Sequence, residues 1–109
     1  MIDWNDYKEV GGNDQVTRYW PDRESPLKLG DEVAGILTKK NPRSNDTSAS
    51  YLLEDGDEII LVWGGAVLDR KLESISPGTK IAIRYLGDKR NEKTKRTYKD
   101  FKVGILAIL

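Results

Sequence analysis

A β-hairpin is the strongest structural signal in this sequence. Two stretches rich in β-forming residues, Ser48–Glu54 and Glu58–Trp63, stand on either side of an Asp-Gly turn at Asp55-Gly56-Asp57. An Asp-Gly pair between two such stretches favours a tight turn, because glycine adopts the positive φ angles that these turns require. The second stretch is a nearly continuous apolar run, as expected of a strand. The sequence therefore predicts two adjacent antiparallel strands near its centre.

Further strands and one helix are predicted on either side of this hairpin. Gly30–Lys40 has the pattern of a strand, with a bulge or sharp bend at Gly35. After Trp63 the period changes, and the helical spacing of Leu68, Leu72 and Ile75 predicts a short helix over residues 66–75. The remaining chain is predicted to form two more strands and two loops: strands Thr79–Leu86 and Thr97–Leu109, loops Asn41–Thr47 and Gly87–Arg96.

The predicted order of elements indicates an all-β fold. Five strands with one short helix between strands 3 and 4 is the connectivity of the OB-fold, a small Greek-key barrel. We therefore predict a five-stranded OB-fold domain over residues 27–109, preceded by an N-terminal arm over residues 1–26. In OB-folds the face of strands 2 and 3 binds oligonucleotides, and the loops joining strands 1–2 and 4–5 flank that face.

The N-terminal arm is predicted to lack regular secondary structure but to make contacts through its aromatic residues. Gly11-Gly12-Asn13-Asp14, Pro21 and Pro26 interrupt any periodicity. The arm nevertheless carries Trp4, Tyr7, Tyr19 and Trp20, four of the nine aromatic residues in the chain. Disordered tails are usually poor in aromatic residues. We expect an arm that packs on the domain or becomes ordered on binding.

The composition argues against catalysis. The chain contains no cysteine and no histidine, which excludes disulfides, thiolate nucleophiles, cysteine-based zinc sites and histidine general bases. The densest acidic cluster, residues 54–58, could hold Mg²⁺, but the hairpin turn explains it better. We expect a protein that is not an enzyme and needs no cofactor or metal. No apolar run reaches the roughly 20 residues of a membrane span, so we expect a cytoplasmic protein without membrane contacts.

The charges are segregated although the net charge is zero. Residues 1–35 carry eight acids and four bases, whereas residues 79–109 carry three acids and nine bases. The C-terminal third is therefore strongly basic, which favours an anionic partner.

A basic groove with exposed aromatic rings is what single-stranded nucleic acid requires, since cations hold the phosphates and rings stack on unpaired bases. Both predicted loops beside the binding face are basic, although a lysine-rich loop can also be a merely solvated hairpin tip. Tyr51 and Tyr98 are the favoured stacking residues, and Trp63 is equally consistent with the core. Tyr85, Phe101 and the apolar helix positions are predicted core. The candidate nucleic-acid-binding residues are Lys39, Lys40, Arg43, Tyr51, Trp63, Lys89, Arg90, Lys93, Lys95, Arg96, Tyr98 and Lys99.

Residues 28–103 resemble a family of small bacteriophage proteins. The resemblance is carried by Trp63-Gly64-Gly65-Ala66-Val67-Leu68-Asp69-Arg70-Lys71-Leu72, Pro77-Gly78-Thr79-Lys80, Tyr85-Leu86-Gly87 and Arg96-Thr97-Tyr98-Lys99-Asp100-Phe101. That family comprises OB-fold, single-stranded-DNA-binding-like proteins of phage replication and recombination modules. The resemblance implies single-stranded DNA binding in phage DNA replication or recombination, in the host cytoplasm and with replication or recombination proteins as partners. Many single-stranded-DNA-binding proteins end in an acidic tail, whereas this chain has no acid after Asp100.

Two functions remain open at this point. The first is largely sequence-independent binding of single-stranded DNA, which the basic C-terminal third favours. The alternative is an OB-fold that serves as a protein-interaction or assembly module, since a fold does not determine a function. The apolar C-terminus, Ile105-Leu106-Ala107-Ile108-Leu109, favours the alternative, because an apolar edge strand invites a partner strand or a homodimer. The sequence does not distinguish DNA from RNA.

Overall fold

The computed structural model describes residues 16–22 and 24–106 of the chain. Within these residues the fold is all-β with one short helix, as predicted. The elements are β1 Arg18–Trp20, β2 Glu32–Asn41, β3 Ser50–Asp55, β4 Glu58–Trp63, α1 Ala66–Leu72, β5 Lys80–Arg90 and β6 Thr97–Ile105. In this described part, no helix is long and apolar enough to cross a membrane.

The strands form a single six-stranded sheet in the order β1-β4-β3-β2-β5-β6. The central hairpin is confirmed: β3 pairs antiparallel with β4, and Gly56 in the turn has a φ of 60°. β2 is shared between two partners, because its first half pairs with β5 and its second half with β3. The sheet curls into a half-barrel, so that Trp20 on one edge strand meets Phe101 on the other, with ring centroids 5.8 Å apart.

Part of the arm belongs to the sheet, so the prediction of an irregular arm is wrong for Arg18–Trp20. These residues form β1, which pairs in parallel with β4 so that Arg18 lies opposite Ile60 and Trp20 opposite Val62. Trp20 is only 4% exposed and joins the hydrophobic core. Residues 1–15 and residue 23 of the predicted arm lie outside the described residues.

The core fills the concave side of the sheet beneath α1. Its largest fully buried side chains come from several strands and from α1: Leu37, Leu53, Ile60, Val62, Leu68, Leu72, Ile81 and Ile83. The core positions predicted in the helical region, Leu68, Leu72 and Ile75, are confirmed, as are Tyr85 and Phe101. Burial of this apolar surface is the main force that holds the sheet in its curled form.

Two irregularities in the strands differ from their predicted places. A bulge or sharp bend was expected at Gly35, whereas the register shift in β2 lies between Leu37 and Lys39. Glycine at position 35 allows the main chain of β2 to lie close to that of β3, because a Cβ there would lie 2.9 Å from the carbonyl oxygen of Glu54. β5 continues to Arg90 instead of ending at Leu86, because Gly87 takes a φ of 97° at a bulge opposite β6. The predicted loop 87–96 is thereby reduced to the turn between β5 and β6, and Lys89 and Arg90 lie on a strand.

The outer side of β6 is partly covered by side chains. α1 packs against β6, and the Lys71 ammonium donates a hydrogen bond to the carbonyl oxygen of Phe101. The N–H of Phe101 donates to Oδ1 of Asp100 at 3.0 Å. Tyr85 opposite Phe101 uses its own N–H and C=O to pair with the segment at Gly30 and Asp31. Both main-chain groups of Phe101 therefore have side-chain partners.

Candidate nucleic-acid interface

A groove lies between the N-terminal end of α1 and strand β6, at the opening of the half-barrel. Its first compartment has a volume of about 320 Å³ and is lined mainly by apolar groups, with Trp63 and Val67 on one side and Tyr98 and Phe101 on the other. Pro21, just after β1, also lines this compartment. We call this compartment and the one that adjoins it the α1–β6 groove.

The second compartment of the groove is larger and more polar. It has a volume of about 510 Å³, and it shares Val67 and Tyr98 with the first. Arg70 and Lys71 line it from α1, and Arg96 lines it from the turn just before β6. The groove as a whole thus runs from an apolar, aromatic end to a cationic end.

Two predicted aromatic residues meet in this groove. Trp63, at the end of β4, is half-buried and forms a wall of the first compartment. Tyr98 on β6 is 39% exposed and borders both compartments. An aromatic ring with one face packed and one face open is the form that base stacking requires.

Lys99 lies beside Tyr98 and is held in place by two contacts. Its ammonium lies 3.4 Å from Oδ1 of Asp88 and 5.4 Å from the centroid of the Tyr85 ring. The hydroxyl of Tyr85 donates a hydrogen bond to the same carboxylate, which lowers the pKa of Asp88. The positive charge of Lys99 is therefore partly balanced within the protein.

The assignment of Tyr51 as a stacking residue is corrected by its burial. Tyr51 is 5% exposed, and its hydroxyl donates to Oδ1 of Asp69 on α1 at 2.7 Å. Burial and the neighbouring carboxylate both raise the pKa of the Tyr51 hydroxyl. The ring belongs to the core, and its role is to tie β3 to α1.

Replacing Tyr51 by phenylalanine is expected to lower the free energy of unfolding by about 0.5–1.5 kcal/mol, since the ring stays and one hydrogen bond is lost. Denaturant unfolding measures this loss. Binding of an oligonucleotide by the same variant should match that of the parent chain. A large loss of oligonucleotide binding without a loss of stability would indicate that Tyr51 contacts the oligonucleotide after all.

Lys40 is also committed to the fold, so its assignment as a phosphate contact is corrected. Its ammonium donates to the carbonyl oxygens of Leu72, Glu73 and Ile75, at 2.9, 3.1 and 3.0 Å. These carbonyls lie at the end of α1 and in the turn that follows it, where few helical donors remain. The carbonyl of Leu72 also accepts from the N–H of Ile75 at 3.1 Å. A lysine at this place satisfies them and balances the negative end of the helix.

The other predicted cations lie outside the groove. Lys39 and Arg43 are exposed at and after the end of β2, and they are not among the residues that line either compartment. Lys89, Arg90 and Lys93 are exposed on β5 and in the following turn, and Lys95 pairs with Glu92 at 3.4 Å. Of the predicted basic residues, the structure thus brings only Arg96 and Lys99 to the groove.

Sequence reasoning missed the contribution of the helix. Arg70 and Lys71 supply two of the four cations in the groove, yet the helical spacing had pointed only to the buried side of α1. A sequence signal was present, because Asp69-Arg70-Lys71 forms the polar side between Leu68 and Leu72. The sequence did not predict that β6 would lie beside the polar side of α1.

Among the described residues, no group of three or more acidic side chains is arranged to hold a metal ion. Comparisons with protein families, with curated proteins and with solved structures find no match to this chain.

Proposed function

We propose that this protein binds single-stranded DNA with little sequence preference, along the α1–β6 groove. The observation that carries the proposal is the placement of Trp63 and Tyr98 in one groove with Arg70, Arg96 and Lys99. Unpaired bases stack on the two rings, and the cations contact the phosphates between them. Each stacked base is worth about 1–3 kcal/mol, and this energy tolerates any base because every base has an aromatic face.

We also propose that the sheet is an OB-fold whose five barrel strands are β2 to β6. The support is the connectivity: α1 joins β4 to β5, and the order β4-β3-β2-β5-β6 places the first barrel strand between the second and the fourth. β1 is additional to this scheme. The bacteriophage resemblance of residues 28–103 supports a role in DNA replication or recombination as part of the same proposal.

The direct test is a titration of fluorescently labelled oligo-dT, and of a duplex of the same length, at two salt concentrations. We expect tighter binding to the single strand, because stacking on Trp63 and Tyr98 needs unpaired bases. We expect the affinity to fall as salt rises, because phosphate contacts release counterions. Equal affinity for the two forms would contradict the proposal.

The Arg70→Ala, Arg96→Ala double variant tests the cationic end of the groove. For single strands, each lost phosphate contact reduces the slope of log K against log salt by about 0.7, so the double variant should lose about 1.4. Stability should change little, because exposed charges contribute at most about 1 kcal/mol. The matched control is Lys39→Ala, Arg43→Ala, which removes two cations outside the groove. An equal change in the slope of log K against log salt for both variants would show that the groove is not the specific site of the phosphate contacts.

A second function, assembly through the C-terminal strand, is favoured by one observation. Ile105 and Leu106 at the end of β6 are 58% and 56% exposed. Exposed apolar residues at a sheet edge favour pairing with another chain. Light scattering of the purified protein across a concentration series tests this function, which predicts a dimer that Ile105→Lys disrupts.

A further inference from the structure

The N-terminal segment, residues 1–10, has a repeating pattern of acidic and apolar residues. Three times an acid directly precedes an apolar residue, as Asp3-Trp4, Asp6-Tyr7 and Glu9-Val10. The repeat interval is three residues. In any conformation with about three residues per turn, the acids therefore form one line and the apolar side chains form the line beside it. The segment contains a single base, Lys8.

The α1–β6 groove has the complementary pattern. Its floor is apolar where Trp63, Val67 and Tyr98 come together. Its charged lining residues are four cations and one carboxylate: Arg70, Lys71, Arg96, Lys99 and Asp100. A ligand with apolar groups in one line and carboxylates in the next thus matches the groove in both charge and polarity.

The segment is long enough to reach the groove. The described chain begins at Val16, where the N–H of Thr17 bonds to the carbonyl of Ile59 at 2.8 Å. From there β1 runs parallel to β4 towards Pro21, which lines the groove about five residues or about 17 Å away. Fifteen residues precede Val16, and they can span about 50 Å when extended. Residues 1–10 can therefore turn back and lie in the groove.

We propose that the α1–β6 groove docks the chain's own N-terminal segment, residues 1–10. Trp4 and Tyr7 pack on the apolar floor, and the carboxylates of the segment face the cations of the groove. An aromatic ring beside a carboxylate makes the same two contacts as a base beside a phosphate. The segment therefore competes with single-stranded nucleic acid for the groove. This competition rests on the proposed function, whereas the docking does not.

The docking is tested without nucleic acid by a spin label on the segment. Because the chain has no cysteine, Asn5→Cys gives a unique labelling position in the 109-residue chain. We expect the label to broaden the amide NMR signals of Val67, Tyr98 and Lys99. The amide of Ala82, on a strand whose outer face is exposed, should be unaffected. Absence of broadening at the groove, or equal broadening at Ala82, would overturn the docking.

A mixed sample identifies which copy supplies the segment. Protein that carries the spin label but no ¹⁵N is mixed with ¹⁵N-enriched protein that carries no spin label. Only the ¹⁵N-enriched chains are observed, so only docking between chains can broaden their signals. We expect no broadening in this sample. Broadening at Tyr98 and Lys99 would show that a second copy occupies the groove and would overturn docking within the chain.

Removal of the segment's charge tests the competition. The variant Asp3→Asn, Asp6→Asn, Glu9→Gln should bind oligo-dT about fivefold more tightly than the parent at low salt, as expected if the segment occupies the groove about four-fifths of the time. The matched control is Asp55→Asn, Asp57→Asn, Glu58→Gln, which removes three carboxylates from the hairpin turn. Equal gains in both variants would show a general charge effect and overturn the competition.

The two proposals can fail separately. If the spin label broadens the groove signals and oligo-dT binds neither parent nor variant, the docking stands and nucleic-acid binding is wrong. If oligo-dT binds and the broadening is absent, nucleic-acid binding stands and the docking is wrong. Where both hold, oligo-dT should abolish the broadening at Tyr98 and Lys99.

Discussion

Replacing Trp20 by alanine is expected to lower the free energy of unfolding by about 3–5 kcal/mol, the usual cost of truncating a large buried aromatic side chain. Trp20 is 4% exposed and packs against Phe101 at the far edge of the sheet. The loss of its ring removes an aromatic contact between the two edge strands of the half-barrel. Chemical denaturation measured by circular dichroism gives the change.

Tyr19 supplies the control for this experiment, because it lies on the same short strand and is 42% exposed. Tyr19→Ala should change the free energy of unfolding by no more than about 0.5 kcal/mol, as surface substitutions usually do. Similar unfolding midpoints for the two variants would mean that β1 is not part of the cooperatively folded domain. The expected difference would show that β1 unfolds together with the rest of the sheet.

If the proposed function holds, Tyr98→Ala should weaken the binding of single-stranded DNA by about 1–3 kcal/mol, or about fivefold to 150-fold. Tyr98 borders both compartments of the groove and is 39% exposed, so its ring is available to a base. The measurement is the affinity for labelled oligo-dT at fixed salt. Tyr98→Phe keeps the ring and should bind close to the parent.

Tyr19→Ala is again the matched control, because it removes a tyrosine of nearly equal exposure from outside the groove. It should leave the affinity unchanged. If Tyr98→Ala binds as tightly as Tyr19→Ala, stacking on this ring is excluded, and quenching of Trp63 fluorescence becomes the remaining test of an aromatic contact. Unfolding midpoints of the two variants should agree closely, which separates a binding effect from a folding effect.

The order of the elements could be predicted from sequence because each signal was local. The Asp-Gly turn predicted the β3–β4 hairpin, and the spacing of Leu68 and Leu72 predicted α1. β1 could not be predicted in this way. Three residues show no period, and their pairing with β4 joins positions about forty residues apart along the chain.

The candidate site was harder to predict, because it depends on which side chains meet across the fold. Tyr51 was assigned to an exposed face. Residues two apart on a strand share a face, however, and Tyr51 thus lies on the same face of β3 as the buried Leu53. Lys40 looks like any exposed lysine in the sequence, and only the packing of α1 against the end of β2 gives it three carbonyl partners. Arg96 and Tyr98 could be predicted because they lie just before and near the start of a strand rich in cations and aromatic residues.

The hydrogen bonds at Phe101 bear on the solubility of the protein. β6 lies at the edge of the sheet, where main-chain groups without strand partners are a template for aggregation. Lys71 and Asp100 occupy the carbonyl and the N–H of Phe101, so an incoming strand would have to displace both side chains before it could add there. The same two residues line the cationic end of the groove. Replacing either residue is therefore expected to expose a main-chain group of the edge strand as well as to alter the lining of the groove.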